Sequence, residues 1–92
     1  MVDTNKLIQL CRQNDADMVG IFGSVARDEQ GPESDLDILV RFSKRKSLFE
    51  IVRLERTLSQ ALGMKIDLLT EKAISPYLVE NIRKDLKVLY EA

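Results

Sequence analysis

Histidine is absent from all 92 residues, and that one gap removes a wide range of chemistry. No His-based triad, no histidine general base and no His-ligated zinc site can be built. Cysteine occurs once, at Cys11, so no internal disulfide can form. The thiol lies in an apolar-periodic segment and reads as a buried structural residue, not a nucleophile. No apolar run approaches the roughly 18 residues needed to cross a bilayer. The N-terminus shows no signal-peptide pattern, so the expected location is cytoplasmic, with no membrane partner. A strong charge of either sign is missing too. Fourteen basic and fifteen acidic residues leave a net charge of -1, which gives no general attraction for nucleic acid. A local basic group at Lys44-Arg45-Lys46 keeps that partner open, although such a run is more often a solvated turn. No Gly-x-x-x-x-Gly-Lys-Ser/Thr loop occurs, which excludes a P-loop.

What is present describes one small folded unit. Hydrophobic residues make up 45% and charged residues 32%, a balance that excludes disorder. The length allows a single domain, residues 1–92, with one core. Asp3 or Thr4 can cap a first helix with Leu7, Ile8, Leu10 and Cys11 on its apolar stripe, ending near Asn14-Asp15. Met18-Val19-Gly20-Ile21-Phe22 reads as a buried strand stopping at Gly23, and Ser24 to about Arg27 as a helical turn. Gln30 to Ser34 is loop chemistry. Asp35 to Phe42 reads as a second strand. Ser47 and Glu50 form a capping box for a long helix that Gly63 stops. Met64 to Thr70 reads as a third strand, Ser75-Pro76 opens a last helix, and Lys87 to Tyr90 is a terminal strand or tail. The order of elements predicts an α/β (α+β) fold: a small mixed sheet with helices mainly on one face, the second and third strands joined by a parallel crossover. An apolar face around Phe42, Leu48 and Phe49 is a candidate contact for a homodimer.

The chemistry concentrates between Gly23 and Asp67. Strand alternation puts Leu36, Ile38 and Val40 on one face and Asp35, Asp37, Leu39 and Arg41 on the other. The two carboxylates therefore point the same way, with Cα atoms roughly 6.5–7 Å apart. Metal pairs in phosphoryl-transfer sites lie about 3.5–4 Å apart, so both side chains can reach such a pair. Asp67, between Ile66 and Leu68, can add a third carboxylate from a neighbouring strand. Hard oxygen donors without histidine or thiolate select Mg²⁺ or Mn²⁺. Asp37 and Asp67 lie inside apolar strands, where an unpaired carboxylate is costly; an edge strand facing water would account for either one, and accounts less well for both. Gly23-Ser24 sits where a strand gives way to a helical turn, which lets backbone approach a phosphate. Arg27 can meet phosphate oxygens bidentately or form a surface ion pair. Ser34, taken alone, reads as a turn or cap residue.

The stretch Gly-Ser-Val-Ala-Arg-x6-Ser-Asp-Leu-Asp-Ile-Leu-Val, Gly23 to Val40, resembles the nucleotidyltransferase superfamily that includes DNA polymerase beta. It is particularly similar to the minimal nucleotidyltransferases (MNT) of prokaryotes, and Asp67 fits the third carboxylate of the pattern. The resemblance implies a nucleoside-triphosphate substrate such as ATP, two Mg²⁺ ions, and transfer of a nucleoside monophosphate to an acceptor hydroxyl with release of pyrophosphate. It implies that Gly23 and Ser24 hold the triphosphate, with Arg27 and Ser34 as further nucleotide contacts. Asp35 and Asp37 would bind both metals, and Asp67 the metal beside the acceptor. It further implies an antitoxin whose partner is a HEPN-domain ribonuclease toxin, modified with AMP on a tyrosine. A non-catalytic antitoxin acting by occlusion, or a transferase acting on RNA or a small molecule, are the alternatives. Family members usually carry glycine after the arginine; this chain carries Asp28.

Overall fold

The computed structural model describes residues 3–26 and 35–92. Helix α1 (Thr4–Gln13) leads into strand β1 (Ala16–Phe22) and a four-residue helix α2 (Gly23–Ala26). Strand β2 (Leu36–Phe42), helix α3 (Leu48–Leu62) and strand β3 (Ile66–Thr70) form a βαβ unit. A single 3₁₀ turn (Glu71–Ala73), helix α4 (Pro76–Asp85) and strand β4 (Lys87–Glu91) complete the described chain. The strands form one sheet in the order β3-β2-β1-β4. β1 pairs antiparallel with β2 and β4, and β2 pairs parallel with β3. The sheet is mixed, as the sequence predicts, and residues 87–91 are its second edge rather than a tail.

Local chemistry explains where the helices begin and end. Asp3 Oδ1 accepts a hydrogen bond from the Lys6 amide at 3.0 Å, capping α1. Ser47 and Glu50 make the full capping box of α3: the Glu50 amide donates to Ser47 Oγ, and the Ser47 amide donates to Glu50 Oε2. Gly63 closes α3 at φ 68°, the left-handed conformation usual at such a position. Pro76 takes the first position of α4, where its missing N–H costs nothing, and Ser75 caps the helix.

The two faces of the sheet bury different things. Leu7 and Cys11 of α1 and Leu54 and Leu58 of α3 pack on Val19, Ile21, Leu36, Ile38, Val40, Ile66 and Leu68. Each such side chain, removed from water, contributes about 1.5–3 kcal/mol. The opposite face holds a smaller cluster in which Ile82 of α4 meets Met18 and Leu39, with Phe22, Leu69, Ile74 and Leu86 around it. Two helices thus cover one face, and α4 covers part of the other. Gly20 permits this close approach, because a Cβ there would lie 2.7 Å from Leu86 Cδ1. Of the predicted exposed apolar residues, Leu48 (75%) and Phe49 (85%) are indeed exposed, whereas Phe42 packs half-buried against the main core. Phe42 shares the inward face of β2 with Val40, so its ring packs against the main core rather than joining a surface patch. No described helix is long and apolar enough to cross a membrane.

Asp15 joins the α1–β1 turn to the turn after β2. It adopts φ 70°, its carbonyl accepts from the Ser43 amide at 2.8 Å, and its carboxylate accepts from Lys46 Nζ at 2.7 Å. That hydrogen bond holds the carboxyl below its ordinary range. A depressed folded pKa means stability that is present above the unfolded value, about 3.9, and lost as pH falls through the folded value. Asp15→Asn tolerates the same backbone, so its Tm should lie below wild type at pH 7. The gap should close as the melts are repeated toward pH 3; a gap independent of pH would refute this role. Cys11 is fully buried, and burial pushes its thiol up to about 12. Native protein at pH 8 should therefore resist a thiol-reactive chromogen and react with one equivalent after unfolding in denaturant. Rapid stoichiometric labelling of the folded chain would contradict the packing described.

Candidate active site

Two of the predicted carboxylates, Asp37 and Asp67, come together at one end of the sheet, on the face that α4 only partly covers. Asp37 and Asp67 are direct partners in the parallel pairing of β2 with β3, which sets their Cα atoms about 4.8 Å apart. Asp35, expected within the second strand, lies just before it, since β2 begins at Leu36. The first rung of this ladder is the Leu36 amide donating to the Lys65 carbonyl at 2.9 Å. Further along, Glu55 of α3 reaches the outer edge of β3 and accepts a hydrogen bond from the Leu68 amide at 3.0 Å. An open strand edge is thereby satisfied, and the strand carrying Asp67 is held to the helix behind it.

Gly23 contributes in a way that goes beyond a flexible turn. It has φ +75° and begins α2 where β1 ends. A Cβ on Gly23 would collide with the Asp37 carboxylate, its Oδ2 first and then its Cγ, at 3.1 Å. Glycine is therefore required twice, once by the left-handed backbone and once by the carboxylate packed in the space a side chain would fill. Phe22, just before it, is the β1 partner of Asp37. The turn and the carboxylate strand form one unit.

The three carboxylates differ in environment. Asp37 is half-buried against the turn, whereas Asp67 is exposed on the edge strand β3. The burial cost argued from sequence for Asp67 does not apply, since an edge strand presents that side chain to water. Asp35 stands 3.8 Å from Lys65 Nζ, with both side chains well exposed, a pair worth little in stability. Lys65 was not singled out by sequence reasoning. Its only signal was its place two residues before Asp67, which acquires meaning once β3 is known to pair with β2. Among the described residues, no three acidic or thiol side chains gather into a ready cation cage. Like charges repel, and only Asp37 and Asp67 stand side by side on two strands. As hard oxygen donors near a glycine turn, they suit a hard divalent cation by their chemistry. Arg27, Asp28 and Ser34 lie outside the described residues, and of Ser24 only the backbone, in α2, is described.

Comparison with known proteins agrees with this arrangement. The family "Polymerase beta, Nucleotidyltransferase" matches residues 5–92. The chain belongs to this nucleotidyltransferase family. A protein of Methanocaldococcus jannaschii, provisionally named a protein adenylyltransferase, is 43% identical over 77 residues, covering 84% of this chain and 83% of that protein. A toxin-antitoxin crystal structure with AMP-PNP contains a chain matching with a TM-score of 0.90 at 27% identity, covering 99% of this chain and 75% of the other. Another match lies in the complex of a tri-AMPylated Shewanella oneidensis HEPN toxin with its MNT antitoxin. Its TM-score is 0.79 at 25% identity, covering 97% of this chain and 70% of the other. Nucleotidyltransferases of this family generally use divalent metals, which accords with the oxygen-only donor set.

The Gly23–Asp37 contact gives this nucleotidyltransferase a direct test. Gly23→Ala should lower unfolding stability by about 1–3 kcal/mol through backbone strain and the displaced carboxylate. In an Asp37→Ala background the clash is gone and only the backbone cost remains, so the loss should shrink. Denaturant unfolding of the four proteins measures this coupling. Strict additivity would mean that the turn and the carboxylate are independent.

Proposed function

We infer that this nucleotidyltransferase is an antitoxin that transfers AMP from ATP to a tyrosine hydroxyl of a HEPN-type ribonuclease toxin. The observation that carries the reading is the Asp37 carboxylate, packed into the space beside Gly23 and in register with Asp67. The likeness to a protein adenylyltransferase and to an MNT antitoxin found with an AMPylated HEPN toxin supports the choice of nucleotide and acceptor.

In this reading Gly23 and Ser24 hold the triphosphate, with Arg27 and Ser34 as further nucleotide contacts. Asp35, Asp37 and Asp67 would hold two Mg²⁺ ions, or Mn²⁺ in their place. Such ions neutralise triphosphate charge and lower the pKa of a coordinated hydroxyl. The acceptor oxygen forms a bond to the α-phosphorus, the bond from that phosphorus to the α–β bridging oxygen breaks, and pyrophosphate leaves with the electron pair. The hydroxyl proton would pass to the carboxylate of Asp67, which is exposed on β3. An exposed Asp67 suits a large acceptor such as a folded protein, because nothing described covers it. The cytoplasm, where ATP and a ribonuclease target are both present, is the matching location.

The test uses ATP labelled at the α-phosphate, Mg²⁺ and the toxin encoded beside this chain. Wild type should label the toxin. Asp35→Asn with Asp37→Asn should lower transfer by roughly a hundredfold or more, the scale expected when charge stabilisation of the transferring group is lost. Undiminished labelling by the double variant would overturn the assignment. Neutralisation of the toxin by that variant with no label transferred would indicate occlusion instead.

A further inference from the structure

Cations concentrate at the end of the sheet opposite the carboxylates. There the last residues of β2, the turn after it, the start of α3 and the turn after β3 surround a pocket of about 280 Å³. It lies roughly 17 Å from Asp37, five residues along β2. Its floor is apolar, formed by the half-buried Phe42 and Ile51 with Val40 buried beneath them. Its rim carries Arg41, Lys44, Arg45, Lys46 and Lys72 against the single acid Glu71, in a chain whose net charge is only -1.

These cations are not equivalent. Arg41 is held by Asp17, Nε to Oδ1 at 2.7 Å, with Glu91 at 3.4 Å from Nη1. Lys46 is mostly buried, with its ammonium 2.7 Å from Asp15 and 6.0 Å from the centre of the Phe42 ring. Those two are fixed parts of the wall. Arg45 and Lys72 are exposed lining residues with no ion pair or hydrogen bond among the described residues. An unneutralised guanidinium beside an ammonium favours a phosphate. A bare anion would gain nothing from the floor, which suits a planar base or another apolar ring. Thr70 and Glu71, also in the wall, can meet sugar hydroxyls. The volume falls near the lower end of small-ligand pockets, about right for one nucleotide and too small for a triphosphate with its acceptor.

We propose that this pocket is a second ligand site, separate from the carboxylate end, that binds a nucleoside monophosphate with its base on Phe42 and Ile51 and its phosphate between Arg45 and Lys72. The site stands apart from the catalytic reading, because it shares no residue with Gly23, Asp35, Asp37 or Asp67.

The experiment titrates AMP, adenosine and pyrophosphate into the full chain carrying Asp35→Asn and Asp37→Asn, in buffer with a metal chelator, followed by amide NMR. AMP should shift the amides of residues 44–46 and 70–72. It should bind about tenfold more tightly than adenosine or pyrophosphate, the scale of one charge-assisted contact added to base packing. Adding Arg45→Ala and Lys72→Ala should weaken AMP about tenfold or more and leave the circular dichroism melt unchanged, since both side chains are exposed. Pyrophosphate binding as tightly as AMP would overturn the nucleotide assignment in favour of a simple anion site. Affinity that appears only with oligoribonucleotides and grows with their length would overturn it in favour of a nucleic-acid surface. Shifts confined to residues 20–24, or none at all, would overturn it outright.

Discussion

Everything at the carboxylate end depends on the parallel pairing of β2 with β3. That pairing is not self-sufficient, because parallel strands five and seven residues long need a covering layer. The layer is α3, whose Leu54 and Leu58 bury Ile38, Ile66 and Leu68 beneath it. The same helix sends Glu55 to the exposed edge of β3, where it accepts the Leu68 amide. Burial fixes which face of β3 turns inward, and the edge contact supports the strand that carries Asp67. A slip of one residue would send Asp67 into the core and Ile66 into water. The apolar side chains therefore enforce the register that brings two aspartates together.

The two ends of the sheet carry opposite charge, and they carry it on opposite faces: the carboxylates on the face of α4, the cations beside Phe42 on the face of α3. In the middle, Met18, Leu39 and Ile82 join α4 to the sheet. One end keeps its carboxylates accessible beside the Gly23 turn; the other gathers cations around the Phe42 end of β2. A near-neutral chain hides this polarity, since 14 basic and 15 acidic residues cancel in the sum. Segregation of charge along a short sheet lets each end attract a different kind of ligand, a hard cation at one and an anion at the other.

Much of the architecture was legible because local signals and burial agreed. The Ser47–Glu50 capping box, the Gly63 stop and the Ser75-Pro76 start all act within a few residues, so their sequence reading and their structure coincide. The alternation of β2 correctly separated Leu36, Ile38 and Val40 from Asp37. Exposure was harder to read. Phe42 was expected at the surface and packs half-buried, whereas Asp67 was expected to be costly and lies open on an edge strand. Strand order, which sequence periodicity does not encode, decides both.

By itself the sequence determined the elements, the separation of Asp37 from Leu36, Ile38 and Val40 along β2, and the lack of any histidine or thiolate chemistry, because these follow from residue type and spacing alone. Only the tertiary structure decided that Asp37 fills the space left by Gly23, that Asp67 sits beside it rather than elsewhere, and that Lys72 joins the 44–46 turn around a pocket. Each of those is a meeting of residues distant along the chain. Such meetings depend on which strands pair and which helix buries them, a choice made by the whole core at once.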